Sequence, residues 1–239
     1  MTVAAALAIT LVSLPSAGAV APRLPDLGMA PLQDFRIETP PGQRLLRFTA
    51  VVVNVGSGPF DLQGRRPKPT SPEMRVKQRL FNDDGTKTTL STAASMFYAG
   101  DGHDHWHVRD LQRYTIQSIN SETDLGAGAK TGFCFFDGVP FRTSLPRAPK
   151  APRYSSCGSQ ASTTVSMGLS VGWGDIYQWN LAYQWIDITA LPAGDYRVRA
   201  QADPKGLFTE SNVNNNGTWT KIRISPTNQV TVLEQGPSA

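Results

Sequence analysis

Glycine and proline punctuate this chain throughout, and the stretches between them are β-branched and aromatic runs, not long amphipathic repeats. With 21 glycines and 18 prolines spread this way, the economical fold is all-β: an antiparallel β-sandwich with long irregular loops and few helices. The expected strands are Leu45 to Val55, Val76 to Phe81, His107 to Ile119, Gly132 to Phe136, Gln184 to Ile188, Tyr196 to Ala202 and Thr218 to Ile224. Asp83-Asp84-Gly85 reads as a hairpin turn, and Asn214-Asn215-Asn216-Gly217 as a tight connection tolerant of positive φ. Two stretches, Pro59 to Glu73 and Pro140 to Gly158, read as loops too long to be mere connectors.

Residues 1–21 read as an export signal. Met1 to Val20 is apolar, the first charged side chain is Arg23, and Ala17-Gly18-Ala19 fits a cleavage site. An uncleaved membrane anchor is the alternative for an apolar stretch of this length. Residues 22–239 are then expected to form a single domain, secreted to an extracellular or periplasmic compartment with no stable membrane insertion after signal cleavage. The net charge of +4 is dispersed and no basic cluster is interleaved with aromatics, so no nucleic-acid partner is expected. Only two cysteines are present, Cys134 and Cys157. Downstream of an export signal they form a natural disulfide.

All three histidines fall in His103-Asp104-His105-Trp106-His107. In an extended strand alternate side chains share a face, so three imidazoles would look one way while Asp104 and Trp106 look the other. That is a metal-ligand layout, although the outer Cα atoms of a straight strand would lie roughly 13 Å apart, so the chain must curve or bulge around an ion. The residue types alone leave the metal open between zinc and copper.

Three further segments follow in order: Lys130-Thr131-Gly132-Phe133-Cys134, Leu169-Ser170-Val171-Gly172-Trp173-Gly174-Asp175-Ile176-Tyr177 and Gln184-Trp185-Ile186-Asp187-Ile188-Thr189. With Pro192-Ala193-Gly194-Asp195-Tyr196 and Glu210-Ser211-Asn212-Val213-Asn214-Asn215-Asn216 they make a chain that resembles the lysyl oxidase family over roughly residues 95 to 225. The resemblance implies that His103, His105 and His107 bind copper and that Lys130 joins Tyr177 to form the lysyl tyrosylquinone cofactor. It also matches the Cys134–Cys157 disulfide. The implied activity is oxidative deamination of peptidyl lysine in a protein or peptide, or of small primary amines, to aldehyde. Dioxygen is the second substrate, and ammonia and hydrogen peroxide are released. The Lys130 amine must be neutral to add to an oxidised tyrosine ring, which calls for burial or nearby cations. Asp137 and Asp175 are candidates for the general base because they lie near the two cofactor precursors in sequence.

Trp173 and Tyr183 stand where animal members of the family carry cysteines, and Gly174 replaces an aromatic residue. These departures make collagen and elastin poor substrates to expect and fit a compact bacterial-type homologue. The alternative reading is a non-catalytic secreted β-sandwich that binds copper, zinc or an envelope polymer. A zinc hydrolase is a third possibility, but no H-E-x-x-H arrangement accompanies the histidines.

Overall fold

The computed structural model describes residues 20–100 and 102–239. All but the last two residues of the expected signal lie outside them, as does Asp101. The described residues contain no α-helix, and no helix among them is long and apolar enough to cross a membrane. Their strands form three antiparallel sheets, in keeping with the expected all-β sandwich.

The first sheet runs in the order Gly132–Phe133, His105–Arg109, Lys87–Ala99, Glu73–Asn82, Phe60–Arg65, Thr164–Leu169, with Pro22–Arg23 also paired to Glu73–Asn82. The second runs Asp124–Ala127, Gln112–Ser118, Gly194–Ala202, Gly217–Ile224, Val230–Gln235. The third is built on Leu45–Asn54, which pairs along its length with Leu27–Met29, Gln33–Glu38, Trp173–Tyr177 and Trp185–Asp187. Exposure alternates along Glu73–Asn82, whose Met74, Val76 and Leu80 face inward, as expected of a strand covered on one side. Leu45–Asn54 is buried almost continuously, the mark of a strand covered on both faces. Phe48, Phe60, Trp106, Tyr114, Phe133 and Phe135 fill the space between the sheets.

Several local expectations need correction. His107 to Ile119 is two strands in two different sheets, separated by Asp110, whose φ of 55° turns the corner. The stretch from Pro59 to Glu73 is no loop throughout. It contains Phe60–Arg65, paired on both sides, because Phe60 and Leu62 bury fully despite the prolines that follow. The longest strand, Lys87–Ala99, was not among those expected, since its threonine and serine run carries little apolar alternation. Beyond Val139–Pro140, the stretch to Gly158 is irregular, as expected. The Asp83 turn stands, with Gly85 at φ 84°. The left-handed residues before Gly217–Ile224 are Asp203 and Gly206, not the asparagines.

Candidate active site

Each residue of Lys130-Thr131-Gly132-Phe133-Cys134 is fixed by a different neighbour. Upstream, Ala129 donates its N–H to the Trp185 carbonyl at 2.9 Å, and Asp110 donates to the Thr131 carbonyl at 2.8 Å. Gly132 and Phe133 then pair with Arg109 and Val108 of the histidine strand. A Cβ at Gly132 would lie 2.4 Å from the Phe97 ring and 3.0 Å from His107 Cβ, so only glycine lets the two strands come together there. Phe133 meets the Tyr177 ring edge-on at 5.2 Å between centroids. The Cys134 carbonyl accepts the Tyr177 hydroxyl at 2.5 Å, and the Cys134 sulfur is bonded to Cys157.

Lys130 and Tyr177 are brought together by this arrangement. Both are 6% exposed, and Lys130 Nζ lies 5.8 Å from the centre of the Tyr177 ring. Tyr177 comes from the strand Trp173–Tyr177, held in register against Ala50 to Val53 of the central strand. Burial holds the Tyr177 phenol well above the usual tyrosine range, and the Asp175 carboxyl beside it pushes the same way.

The two carboxyls proposed as bases separate clearly. Asp137 is a loop anchor: it accepts the backbone N–H of Ser170 and of Arg153, each at 2.7 Å, that of Tyr154 at 3.2 Å, and the Ser170 hydroxyl at 2.7 Å. It ties the long irregular stretch to the sandwich and has no group left for chemistry. Asp175 is two residues before Tyr177 on one strand, so their side chains share a face. It is 1% exposed, and burial pushes its carboxyl up to about 8 while Lys130 pulls it down. Lys130 is itself buried, one of the two conditions sequence reasoning asked for. The i, i+2 spacing on a strand is the signal that could have singled Asp175 out.

The histidines begin a strand instead of lying along one. His105–Arg109 is extended, while Gly102 at φ 91° and Asp104 at φ 32° bend the chain before it. That bend supplies the curvature the spacing required. The ring centroids of His103, His105 and His107 lie 4.7 to 5.8 Å apart, and the Nε2 atoms of His105 and His107 are 2.9 Å apart. Two imidazole nitrogens sharing one ion at about 2 Å each stand roughly 3 Å apart, so this pair fits a common metal. Among the described residues no group of three His, Cys, Asp or Glu side chains is closed into a complete metal cage. The donors are gathered, with the third ring at 5.7 and 5.8 Å from the other two. Asp104 is exposed, and Trp106 is fully buried, its indole N–H donating to Ser159 O at 2.9 Å.

A cleft of about 350 Å³ joins the two groups, with His107 and Lys130 in its wall beside Phe97, Tyr98 and Tyr183. These aromatic walls were not foreseen. Tyr183 is 45% exposed at φ 61° and packs against Trp185 at 5.4 Å, so this departure from the animal pattern faces the cleft. Trp173, the other, donates its indole N–H to Pro149 O at 2.9 Å and pins the long loop. A larger hollow of about 490 Å³ lies between that loop and Phe81 and shares no residue with the cleft.

The fold is an all-β sandwich with a histidine turn beside a buried lysine and tyrosine, and sequence comparison supplies the family. The lysyl oxidase family profile matches residues 63–234, and the chain belongs to that family. It is 31% identical over 154 residues to protein-lysine 6-oxidase of Gallus gallus and of Homo sapiens, covering 64% of this chain and 34% of each relative. The Sus scrofa protein-lysine 6-oxidase is 30% identical over 154 residues, covering 64% of this chain and 57% of that protein. The chain thus matches between about a third and just over half of these relatives' length.

Proposed function

We propose that this protein is a secreted copper-dependent amine oxidase of lysyl oxidase type, with His103, His105 and His107 as copper ligands and Lys130 and Tyr177 as the precursors of a lysyl tyrosylquinone. Copper with dioxygen would supply the oxidation a phenol needs to become a quinone, and the quinone would supply the electron sink for oxidising a primary amine, with dioxygen and water completing the balance to aldehyde, ammonia and hydrogen peroxide.

The observation that carries the reading is the Lys130 amine 5.8 Å from the centre of the Tyr177 ring, both buried, in a protein whose lysine lines one cleft with His107. Buried lysines are rare and do not sit against a tyrosine without cause. The residues around the pair have distinct tasks. Phe133 and Cys134 hold the ring and its hydroxyl, the Gly132 contact sets the distance to the histidine strand, and the Trp185 carbonyl holds the chain just before Lys130. Phe97, Tyr98 and Tyr183 shape the entry for a substrate amine and offer π faces to its cation.

The test is turnover by copper-loaded, aerobically matured protein. Oxygen consumption and peroxide release are expected with an alkylamine or a lysine-containing peptide, and none with secondary amines. Protein carrying copper and a formed quinone that turns over no primary amine in a broad panel would sink the oxidase reading.

A further inference from the structure

We propose that the hollow of about 490 Å³ beside the long irregular loop is a second binding site, for a small organic anion that carries a carboxylate or phosphate on an apolar body. It shares no residue with the cleft that holds Lys130, so the proposal stands apart from the oxidase reading. Three arginines line it: Arg23 from the strand Pro22–Arg23, and Arg147 and Arg153 from the loop. Arg23 and Phe81 are direct partners across their strand pair, so cation and ring lie on the same side. With Phe81, Pro149 and Val171 give the wall its apolar part. No acidic side chain lines it among the described residues.

The positive charge there is incompletely balanced. Arg23 and Arg147 share a single carboxylate oxygen, Asp83 Oδ1, at 3.8 and 3.4 Å. Both distances are long beside the roughly 2.8 Å of a charge-assisted bond. The Arg23 Nε is buried with no hydrogen-bond partner, and the Arg153 side chain has neither hydrogen bond nor ion pair, among the described residues. Three guanidiniums thus meet one carboxylate, and each offers the planar fork that suits a carboxylate or phosphate. Lys87 Nζ adds a further charge 4.5 Å from the centre of the Phe81 ring. The loop that carries Arg147 and Arg153 is fixed by its own anchors. Asp137 accepts the N–H groups of Arg153 and Tyr154, the Trp173 indole donates to Pro149 O, and the Tyr154 hydroxyl donates to Asp61 at 2.8 Å. Arg147 is held at φ 69°, a left-handed conformation that a side chain keeps only where its surroundings dictate it. A wall already ordered spares a ligand the cost of ordering it.

The experiment is an NMR titration of the whole folded protein with phenylacetate, phenyl phosphate, neutral 2-phenylethanol and inorganic phosphate. At least one of the two aryl anions should give saturable shifts centred on the amides of Arg147, Arg153, Tyr154 and Val171, and the tighter of the two names the head group. The neutral alcohol should bind at least about tenfold more weakly, for want of charge-assisted bonds, and inorganic phosphate likewise, for want of an apolar body. Affinity should fall as salt is raised, because the arginines are partly exposed. Arg153→Gln should weaken binding by at least about tenfold. Lys150→Gln, at an exposed cation of the same loop that does not line the hollow, should leave it unchanged. Should Arg153→Gln fail to fold, Arg147→Gln carries the same expectation. Tyr177→Phe, which removes the phenol of the cleft, should bind as wild type does, so failure of the oxidase reading leaves this result untouched. Several results overturn the proposal: no saturable shift with either anion, shifts centred elsewhere, or binding lost in Tyr177→Phe. Equal affinity for the alcohol or for inorganic phosphate, or equal weakening by Lys150→Gln, does so as well.

Discussion

The histidine turn and the Lys130–Tyr177 pair adjoin one another yet are held in different ways. His103 and His105 are half-buried on a bend made by Gly102 and Asp104, and their rings meet through local chain geometry within five residues. Lys130 and Tyr177 come from distant parts of the sequence and are almost fully buried, fixed by strand pairing, a disulfide and a backbone carbonyl. Under the proposed function the contrast follows from what each would have to do. Donors to an ion can close around it and must leave it accessible. Two side chains that are to become covalently joined must instead be placed at a fixed separation before the reaction, and burial on every side does that.

Changes at the buried pair should therefore be absolute. Tyr177→Phe leaves no phenol to oxidise, and Lys130→Arg leaves a guanidinium that stays protonated and is a poor nucleophile. Both variants should retain copper and lose all amine oxidation, read as peroxide release and quinone staining. Lys130→Arg with wild-type turnover would break the comparison at its buried end.

At the histidine turn the expected loss is large but graded. His105→Ala should lower copper affinity by about 100-fold or more, since two imidazoles hold an ion far less firmly than three, and cofactor formation should fall with metal content. Asp104→Ala should cost much less, because its side chain is exposed, although its left-handed φ of 32° disfavours alanine by about 1 kcal/mol. Equal copper loss from the two substitutions, in folded protein, would contradict the assignment of the histidines as the donors.

The disulfide supports the buried pair from its edge. Replacing Cys134 and Cys157 by serine should cost about 3 kcal/mol in chemical denaturation. Amide exchange should rise first around Phe133 to Phe135, next to the Tyr177 hydroxyl. Exchange rising first in a remote sheet would contradict that support.

The smallest effect is a pH dependence. Burial lifts Asp175 from its ordinary 3.8 to about 8, so the folded chain keeps a proton that the unfolded chain has lost across that range. Stability of the apo protein should accordingly fall as pH rises from about 4 to 8, and Asp175→Asn should lack that decline. The thermal midpoint of the variant relative to wild type should climb through this window. A difference constant with pH would place Asp175 in a more solvated setting than the structure gives it.

Much of this was legible in the sequence, for physical reasons. Turn residues and β-branched runs gave the all-β class, because they act locally. The histidine spacing carried its own geometry, including the need for a bend, which Asp104 meets. The disulfide partners required only that two cysteines be present in a chain expected to be exported. What could not be read were the features that depend on distant neighbours. The strand Phe60–Arg65 is made by its pairing with Thr164–Leu169, not by its own sequence. Asp137 and Asp175 looked equivalent until the loop and the strand placed them. Trp173 and Tyr183 appeared as departures from a pattern, and only packing assigns one to the loop and the other to the cleft.

The most direct measurement is peptide mapping of copper-loaded, aerobically matured wild-type protein. One branched, quinone-positive peptide carrying both Lys130 and Tyr177, reactive with hydrazines, is the predicted result. Lys130 and Tyr177 recovered on separate, unmodified peptides from fully copper-loaded protein would contradict the account and leave a metal-binding β-sandwich in place of the oxidase.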